Sequence, residues 1–224
     1  MADIVIFGAG GRAGRAATTE ARARGHRVTA VVRDPDRHPD LAEPGQGVRV
    51  VSGDITDPAQ VARAAHAHHA AVHAVSPFSG PEQGFADLDP AFFVRAAEAL
   101  LYGLARAGVP RLLVVGLFAN LRDPDGRPLS EDPHMLPPGI RPFAEAHQAG
   151  LDRLRSAPTE VDWLMVTPPA RLEAGAPRTG GYRVGGETVG DEATARLSYA
   201  DLAVALLDEI DTPRHHRTRI SVHG

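Results

Sequence analysis

The chain contains no cysteine and no lysine. Without cysteine there is no disulfide, no thiolate metal site and no cysteine nucleophile. All 24 basic residues are arginine, which stays protonated and forms no Schiff base, so lysine-dependent mechanisms are excluded. No apolar run approaches the roughly 18 residues of a membrane span, and no basic segment followed by an apolar stretch opens the chain. The expectation is a cytoplasmic protein without a membrane partner. A net charge of −4 over 224 residues provides no basic footprint for nucleic acid. Nothing resembles a linker, so residues 1–224 read as one domain with a sizeable core.

What is present begins with Asp3-Ile4-Val5-Ile6-Phe7-Gly8-Ala9-Gly10-Gly11-Arg12-Ala13-Gly14. A β-branched and aromatic run stops at glycines spaced three apart, and an Ala/Arg/Glu-rich stretch follows. This predicts a strand, a tight turn and a helix N-terminus. Such a turn lets the backbone approach a pyrophosphate, and the free N–H groups and positive dipole end of the helix face it. Gly-rich turns are common, so context matters. A second strand, Arg27 to Arg33, ends about twenty residues after the motif, where a dinucleotide fold needs it. The pattern predicts a nucleotide cofactor.

Short apolar runs recur at 26–33, 48–52, 70–75, 111–115, 161–166 and 219–223, separated by helical segments at 11–24, 58–68, 89–108 and 141–156. Both-face-buried strands alternating with helices predict an α/β fold with a doubly wound, parallel Rossmann-type sheet. Two stretches interrupt the rhythm: 120–139, rich in Pro, Asp and Gly, and 168–193, rich in Gly, Pro, Thr and Arg. Both follow a strand's carboxyl end, where open α/β sheets bind ligands, and are expected to wall a small-molecule substrate site. Together they form a small substrate-side region toward the C-terminus. Ser198 is placed to cap a helix running to about Ile210.

Gly53-Asp54-Ile55-Thr56-Asp57-Pro58, Val161-Asp162-Trp163, Thr167-Pro168-Pro169, Arg178-Thr179-Gly180-Gly181-Tyr182-Arg183, Gly185-Gly186 and Leu197-Ser198-Tyr199-Ala200-Asp201-Leu202-Ala203 follow the glycine motif in order. With them the chain resembles, over nearly its full length, the atypical short-chain dehydrogenase/reductases. It is most similar to the bacterial NAD(P)H-binding group of NADH-flavin reductases, relatives of biliverdin reductase B. The resemblance implies that Gly8, Gly11, Arg12, Ala13 and Gly14 form the pyrophosphate turn and that Asp54 and Ile55 flank the adenine. It implies that Ala74, Val75, Ser76 and Pro77 run past the ribose. Val115, Gly116, Leu117 and Phe118 would lie near the nicotinamide, with Thr167 and Pro168 bordering the same ring.

Arg33 stands where NAD-preferring enzymes of this kind place a carboxylate for the ribose 2′-OH. An arginine there can pair with a 2′-phosphate, with Arg12 as a second guanidinium, which favours NADP(H) over NAD(H). The alternative gives the ribose to Asp34 and the preference to NAD.

The helix that carries tyrosine and lysine in such dehydrogenases reads Phe143-Ala144-Glu145-Ala146-His147 here, so that acid and its partner are missing. Ala119 and Asn120 stand where many relatives carry a serine, and Ala170 where biliverdin reductase B-like enzymes place a histidine. Hydride transfer can still proceed by juxtaposing two rings, with the proton taken from water. The candidates for assistance are His147 as proton donor, since an unperturbed imidazole titrates near 6.5, Asn120 as donor to a developing oxyanion, and Tyr182. His66, His69 and His73 would share a face if their helix ran that far, but no carboxylate lies at ligand spacing and no metal is expected. Ser76-Pro77 lacks the GxSxG elbow of a nucleophile. The reading is a reductase of a flavin, quinone or conjugated carbonyl. The alternatives are a non-catalytic NADP(H)-binding regulator and a non-redox isomerase or cyclase.

Overall fold

The structure is a computed structural model and describes residues 1–42, 47–77, 88–132, 138–189 and 195–224. Strands β1 (Asp3–Phe7), β2 (Arg27–Val32), β3 (Val48–Ser52), β4 (Ala70–His73), β5 (Arg111–Val115) and β6 (Asp162–Thr167) match the predicted apolar runs. Three short strands follow: β7 (Arg171–Glu173), β8 (Arg183–Gly185) and β9 (Arg196–Ser198), and β10 (Thr218–His223) is last in the chain. The main sheet has the order β3-β2-β1-β4-β5-β6-β10-β8; all neighbours are parallel except β8 on β10. β7 and β9 pair separately. This is the doubly wound α/β sheet expected, with its order reversing on either side of β1.

Helices α1 (Arg12–Ala23) and α5 (Tyr199–Asp211) cover one face and pack on each other. Helices α2 (Pro58–Ala65), α3 (Phe92–Ala107) and α4 (Arg141–Ser156) cover the other. Alternation along each strand sends its side chains to two cores. Ile4, Ile6, Leu113, Leu164 and Val166 join the α1/α5 side; Val5, Phe7, Leu112, Val114, Trp163 and Met165 join the α2/α3/α4 side. Fully burying one such side chain contributes about 1.5–3 kcal/mol, which is why apolar runs rather than alternating patterns mark this sheet.

Two boundaries differ from those predicted. The helix expected over 58–68 stops at Ala65, because Ala67 takes a left-handed backbone (φ 62°) that no helix continues through. The strand expected over 70–75 ends at His73, because the Val75 N–H bonds to the His73 imidazole. The stretch read as a 168–193 loop contains β7 and β8, three-residue strands too short to show a period. Parts of both interrupting stretches, 133–137 and 190–194, lie outside the described residues. Among the described residues no helix is long and apolar enough to cross a membrane.

Candidate cofactor-binding cleft

The carboxyl ends of β1 to β6 lie side by side, so residues far apart in sequence meet along one edge. The Gly8 and Ala9 N–H groups bond the Val31 carbonyl, Ala74 N–H bonds Phe7, Gly53 N–H bonds Val32, and Gly116 N–H bonds Val166. This brings together the glycine turn, Arg33, Asp54 with Ile55, Ala74 to Pro77, Val115 to Phe118, and Thr167 with Pro168.

The three motif glycines serve different ends. Gly8 has φ +82°, and a Cβ there would stand 2.7 Å from the Ala74 carbonyl. A Cβ on Gly14 would collide with the Gly8 carbonyl oxygen, so both are required by the fold itself. A Cβ on Gly11 would meet only that oxygen, at 3.4 Å, an ordinary contact. Among the described residues nothing else comes within 4 Å of that position.

Gly11 is also the N-cap of α1, and it offers no side-chain oxygen to the first turn, which contains no acidic residue. Of the other helices that begin at this edge, α3 and α4 also have no side-chain cap, whereas α2 and α5 are closed. Asp57 accepts from Ala59 N–H (2.8 Å) and Gln60 N–H (3.1 Å) at α2, and Ser198 accepts from Asp201 N–H (2.9 Å) at α5. Helix α1 thus keeps its free N–H donors and positive dipole end open toward a bare glycine, which is the geometry for an anion. Arg12 and Arg33 are exposed beside it, and neither guanidinium has a partner among the described residues. Arg15, by contrast, is committed: its Nε donates to the Gly10 carbonyl at 2.9 Å, and its guanidinium pairs with Asp40 and meets His38 Nδ1. The His38 ring lies against Gly10, within 2.5 Å of where a Cβ would be. His38 was missed in the sequence because it stands in a stretch after β2 that reads as exposed loop. These residues fit a dinucleotide pyrophosphate with a phosphorylated ribose nearby.

Where the nicotinamide is expected, the side chains pack inward. Phe118 and Pro168 are buried and line a cavity of about 10 Å³ with Leu121, Ser221 and His223. Thr167 is fully buried against Gly116, and its hydroxyl has no partner. Asp54 is exposed and caps its own turn by accepting from Thr56 N–H, while Ile55 turns into the core.

The three side chains expected to assist chemistry are all committed elsewhere. His147 is 6% exposed, and its ring sits 4.5 Å from that of Phe93. Burial pushes its pKa down to about 4 against the Val115 carbonyl, which draws a proton toward it, with Arg219 adding to the depression. At neutral pH it is an uncharged, enclosed ring and not the proton donor expected. Asn120 is equally buried, and its Nδ2 donates to the Ala144 carbonyl at 2.7 Å, so the expected oxyanion donor points into α4. Tyr182 donates its hydroxyl to Asp208 at 2.8 Å, and burial with that carboxylate raises its pKa to about 12. Asp208 also holds Arg24, the C-cap of α1. The Tyr182 hydroxyl therefore lies at the end of α1 remote from the glycine turn, about 18 Å away along a 12-residue helix. The physical cause is the same in each case: a polar group on a packed element takes the nearest internal partner or is closed off by the core.

The late motif has a structural explanation. Burial opposes ionisation of Asp201, yet the Gly180 N–H, the Ser198 hydroxyl and Thr179 hold its carboxyl below the usual range. Arg178 pairs with buried Glu20 of α1 at 2.7 Å. Asp201 and Glu20 thus pin the 178–181 segment across α5 and α1. The histidines considered for metal are dispersed: His69 Nδ1 accepts from Asp3 N–H, and His73 is inside β4.

An open α1 N-terminus at the edge of a doubly wound sheet defines a dinucleotide-binding α/β protein. The family described as NAD(P)H-binding matches residues 8–211, and the chain belongs to it. Its relatives include the Bacillus subtilis (strain 168) protein YwnB, 30% identical over 223 residues, 98% of this chain and 97% of YwnB. A Burkholderia pseudomallei protein of known structure is 30% identical with a TM-score of 0.82, covering 100% of both chains. A provisionally assigned NADH-flavin reductase from Streptococcus pneumoniae TIGR4 is 26% identical with a TM-score of 0.79, over 100% of this chain and 99% of that one. These findings bear out the resemblance to atypical short-chain dehydrogenase/reductases and a nicotinamide cofactor.

Proposed function

We propose that the protein is an NADPH-dependent reductase of a small planar acceptor, such as a flavin, quinone or conjugated carbonyl. The observation that carries this reading is the uncapped α1 N-terminus facing bare Gly11 between two unpartnered guanidiniums. The N–H groups of Arg12, Ala13 and Gly14 would hold the pyrophosphate, and Arg33 with Arg12 would pair with a 2′-phosphate. A bound nicotinamide supplies the hydride. Val115 to Phe118 and Thr167 with Pro168 would shape the ring's surroundings and exclude water, leaving the protein to orient two rings.

None of the three side chains expected to assist is free to donate a proton here, since His147 and Asn120 are buried and Tyr182 is bonded to Asp208, which favours a proton taken from water. That favours acceptors whose reduced form needs no positioned acid. The relative named as an NADH-flavin reductase supports this class of acceptor. The burial of Asn120 and His147 also favours a second reading, a regulator that binds NADP(H) without turnover.

The test is direct. The purified chain is titrated with NADPH and NADH by calorimetry, then given deuterated NADPH with a panel of flavins and quinones. NADPH binding at least about tenfold tighter than NADH, with deuterium transferred to one acceptor and a rate flat from pH 6 to 8, supports the reductase. Tight NADPH binding with no transfer to any acceptor favours the regulator, and no binding of either nucleotide overturns both.

A further inference from the structure

Beneath the cleft, the packing of α3 and α4 on the sheet is interrupted by a cavity of about 20 Å³, lined by His73, His147, Phe93, Val114 and Met165 among others. That is room for one water. His147 Nδ1 is buried with no hydrogen-bond partner among the described residues. Leaving such an acceptor unmet is costly, so native interiors rarely do.

The tautomers of the two rings are complementary. The Val115 carbonyl stands near the His147 imidazole and favours its proton. Since Nδ1 is the atom without a partner, Nε2 carries that proton and Nδ1 is a bare acceptor. His73 Nδ1 accepts from Val75 N–H at 3.2 Å, so its proton is on Nε2. Both rings line the cavity, and between them they offer one donor and one acceptor. Burial keeps both uncharged at neutral pH, His73 down to about 3 and His147 to about 4.

We infer that the cavity binds one ordered water, which accepts from His73 Nε2–H and donates to His147 Nδ1. The bridge has a place in the sheet that makes it useful. The β4–β5 ladder ends at the pair His73 and Val114. Beyond it, no ladder bond ties Ala74 and Val75 to Val115 and Gly116, the two stretches expected along the ribose and the nicotinamide. His73 fastens Val75, His147 stands near Val115, and the water joins the two rings. The histidines are thus positioning residues that hold the two strand ends at a fixed spacing. This positioning role rests on the NAD(P)H reading; the water site does not.

Three measurements on the full chain decide it. A high-resolution crystal structure at pH 7.5, without nucleotide, should show one water within hydrogen-bond distance of both rings; a dry cavity, or direct contact of the rings, overturns the bridge. Nitrogen-15 NMR should find both rings as Nε2–H tautomers, and an Nδ1–H tautomer at either histidine overturns it, whatever any variant does. NADPH affinity is then measured for His73→Phe, His147→Phe and the double variant. Each single change should weaken binding about threefold to tenfold, the scale of one bridged hydrogen bond. The double variant should be no worse than the weaker single. Multiplying losses, or singles that bind like wild type, would overturn the positioning role. Should wild type itself fail to bind NADPH, the cofactor reading falls and the positioning role with it, while the crystal and NMR measurements still decide the water site.

Discussion

The two edges of the sheet treat charge in opposite ways. At the amino edge two guanidiniums are saturated. Arg111 donates to Asp162 (2.7 Å), to Glu209 (3.0 Å) and to the Glu209 and His215 carbonyls, while Arg24 holds Glu20, Asp208 and Asp211. At the carboxyl edge Arg12 and Arg33 have no partner among the described residues, and α1 begins without a side-chain cap. The amino edge is finished by the protein, whereas the carboxyl edge is finished by something it binds. Buried charges must be paired, but exposed ones can wait for a ligand.

The comparison breaks most visibly at Arg111. Its side chain and that of Glu209 are each 7% exposed, so Arg111→Met leaves Glu209 only His215 and two backbone N–H donors and should cost about 3 kcal/mol. Urea midpoints measure this, and NADPH affinity of the folded protein should not change. A stability loss below about 1 kcal/mol would remove the distinction between the edges.

Gly11→Val tests the opposite edge. The protein has room for the side chain, so the urea midpoint should barely move, whereas NADPH affinity should fall at least about a hundredfold, equivalent to roughly 2.7 kcal/mol. Retained affinity by calorimetry would put the pyrophosphate elsewhere.

Acid separates the edges along the pH axis. His73 and His147 are held to about 3 and about 4 in the folded protein, below the unfolded value near 6.5. Below that value the unfolded chain binds more protons, so the stability present above it is lost as pH falls toward the folded values, at about 1.4 kcal/mol per pH unit for each histidine. Between pH 7.5 and 5.5 about 2.7 kcal/mol should disappear. Glu20 and Glu209 are lowered from values already near 4.5, so the amino edge gives way only at lower pH. His147→Phe should roughly halve the loss over that interval, and an unchanged slope would place the titration in other groups.

The smallest effect sharpens the carboxyl edge. Arg33→Ala should weaken NADPH about tenfold and leave NADH nearly unchanged, since one charge-assisted bond contributes about 1.5–3 kcal/mol and solvent screens part of it. Equal losses for both nucleotides would mean that Arg33 does not read the 2′-phosphate.

The sheet was legible in the sequence because strands buried on both faces write themselves as apolar runs, as Ile4-Val5-Ile6-Phe7 does. The glycine turn was legible because a required left-handed φ and a helix–strand contact leave no choice at Gly8 and Gly14. What each polar side chain does was less so. His147 and Asn120 belong to segments beside the cleft, but whether a ring or an amide faces the cleft or the core depends on helix rotation and packing, which a run of letters does not encode. Phe93, far away in sequence, is what encloses His147. Tyr182 was misread for a similar reason: its partner Asp208 comes from α5, and nothing local signals the pairing.

The position of β10 between β6 and β8 has a kinetic side. The strand that comes last in the chain is an interior strand of the sheet. Until it docks, β6 is a bare parallel edge and β8 lacks its only described neighbour in the sheet. A nascent chain therefore cannot close this sheet while Thr218 to His223 remain in the ribosome. During that interval the Trp163 to Val166 run presents an apolar edge to any other chain, so aggregation of unfinished or slowly folding molecules should begin there.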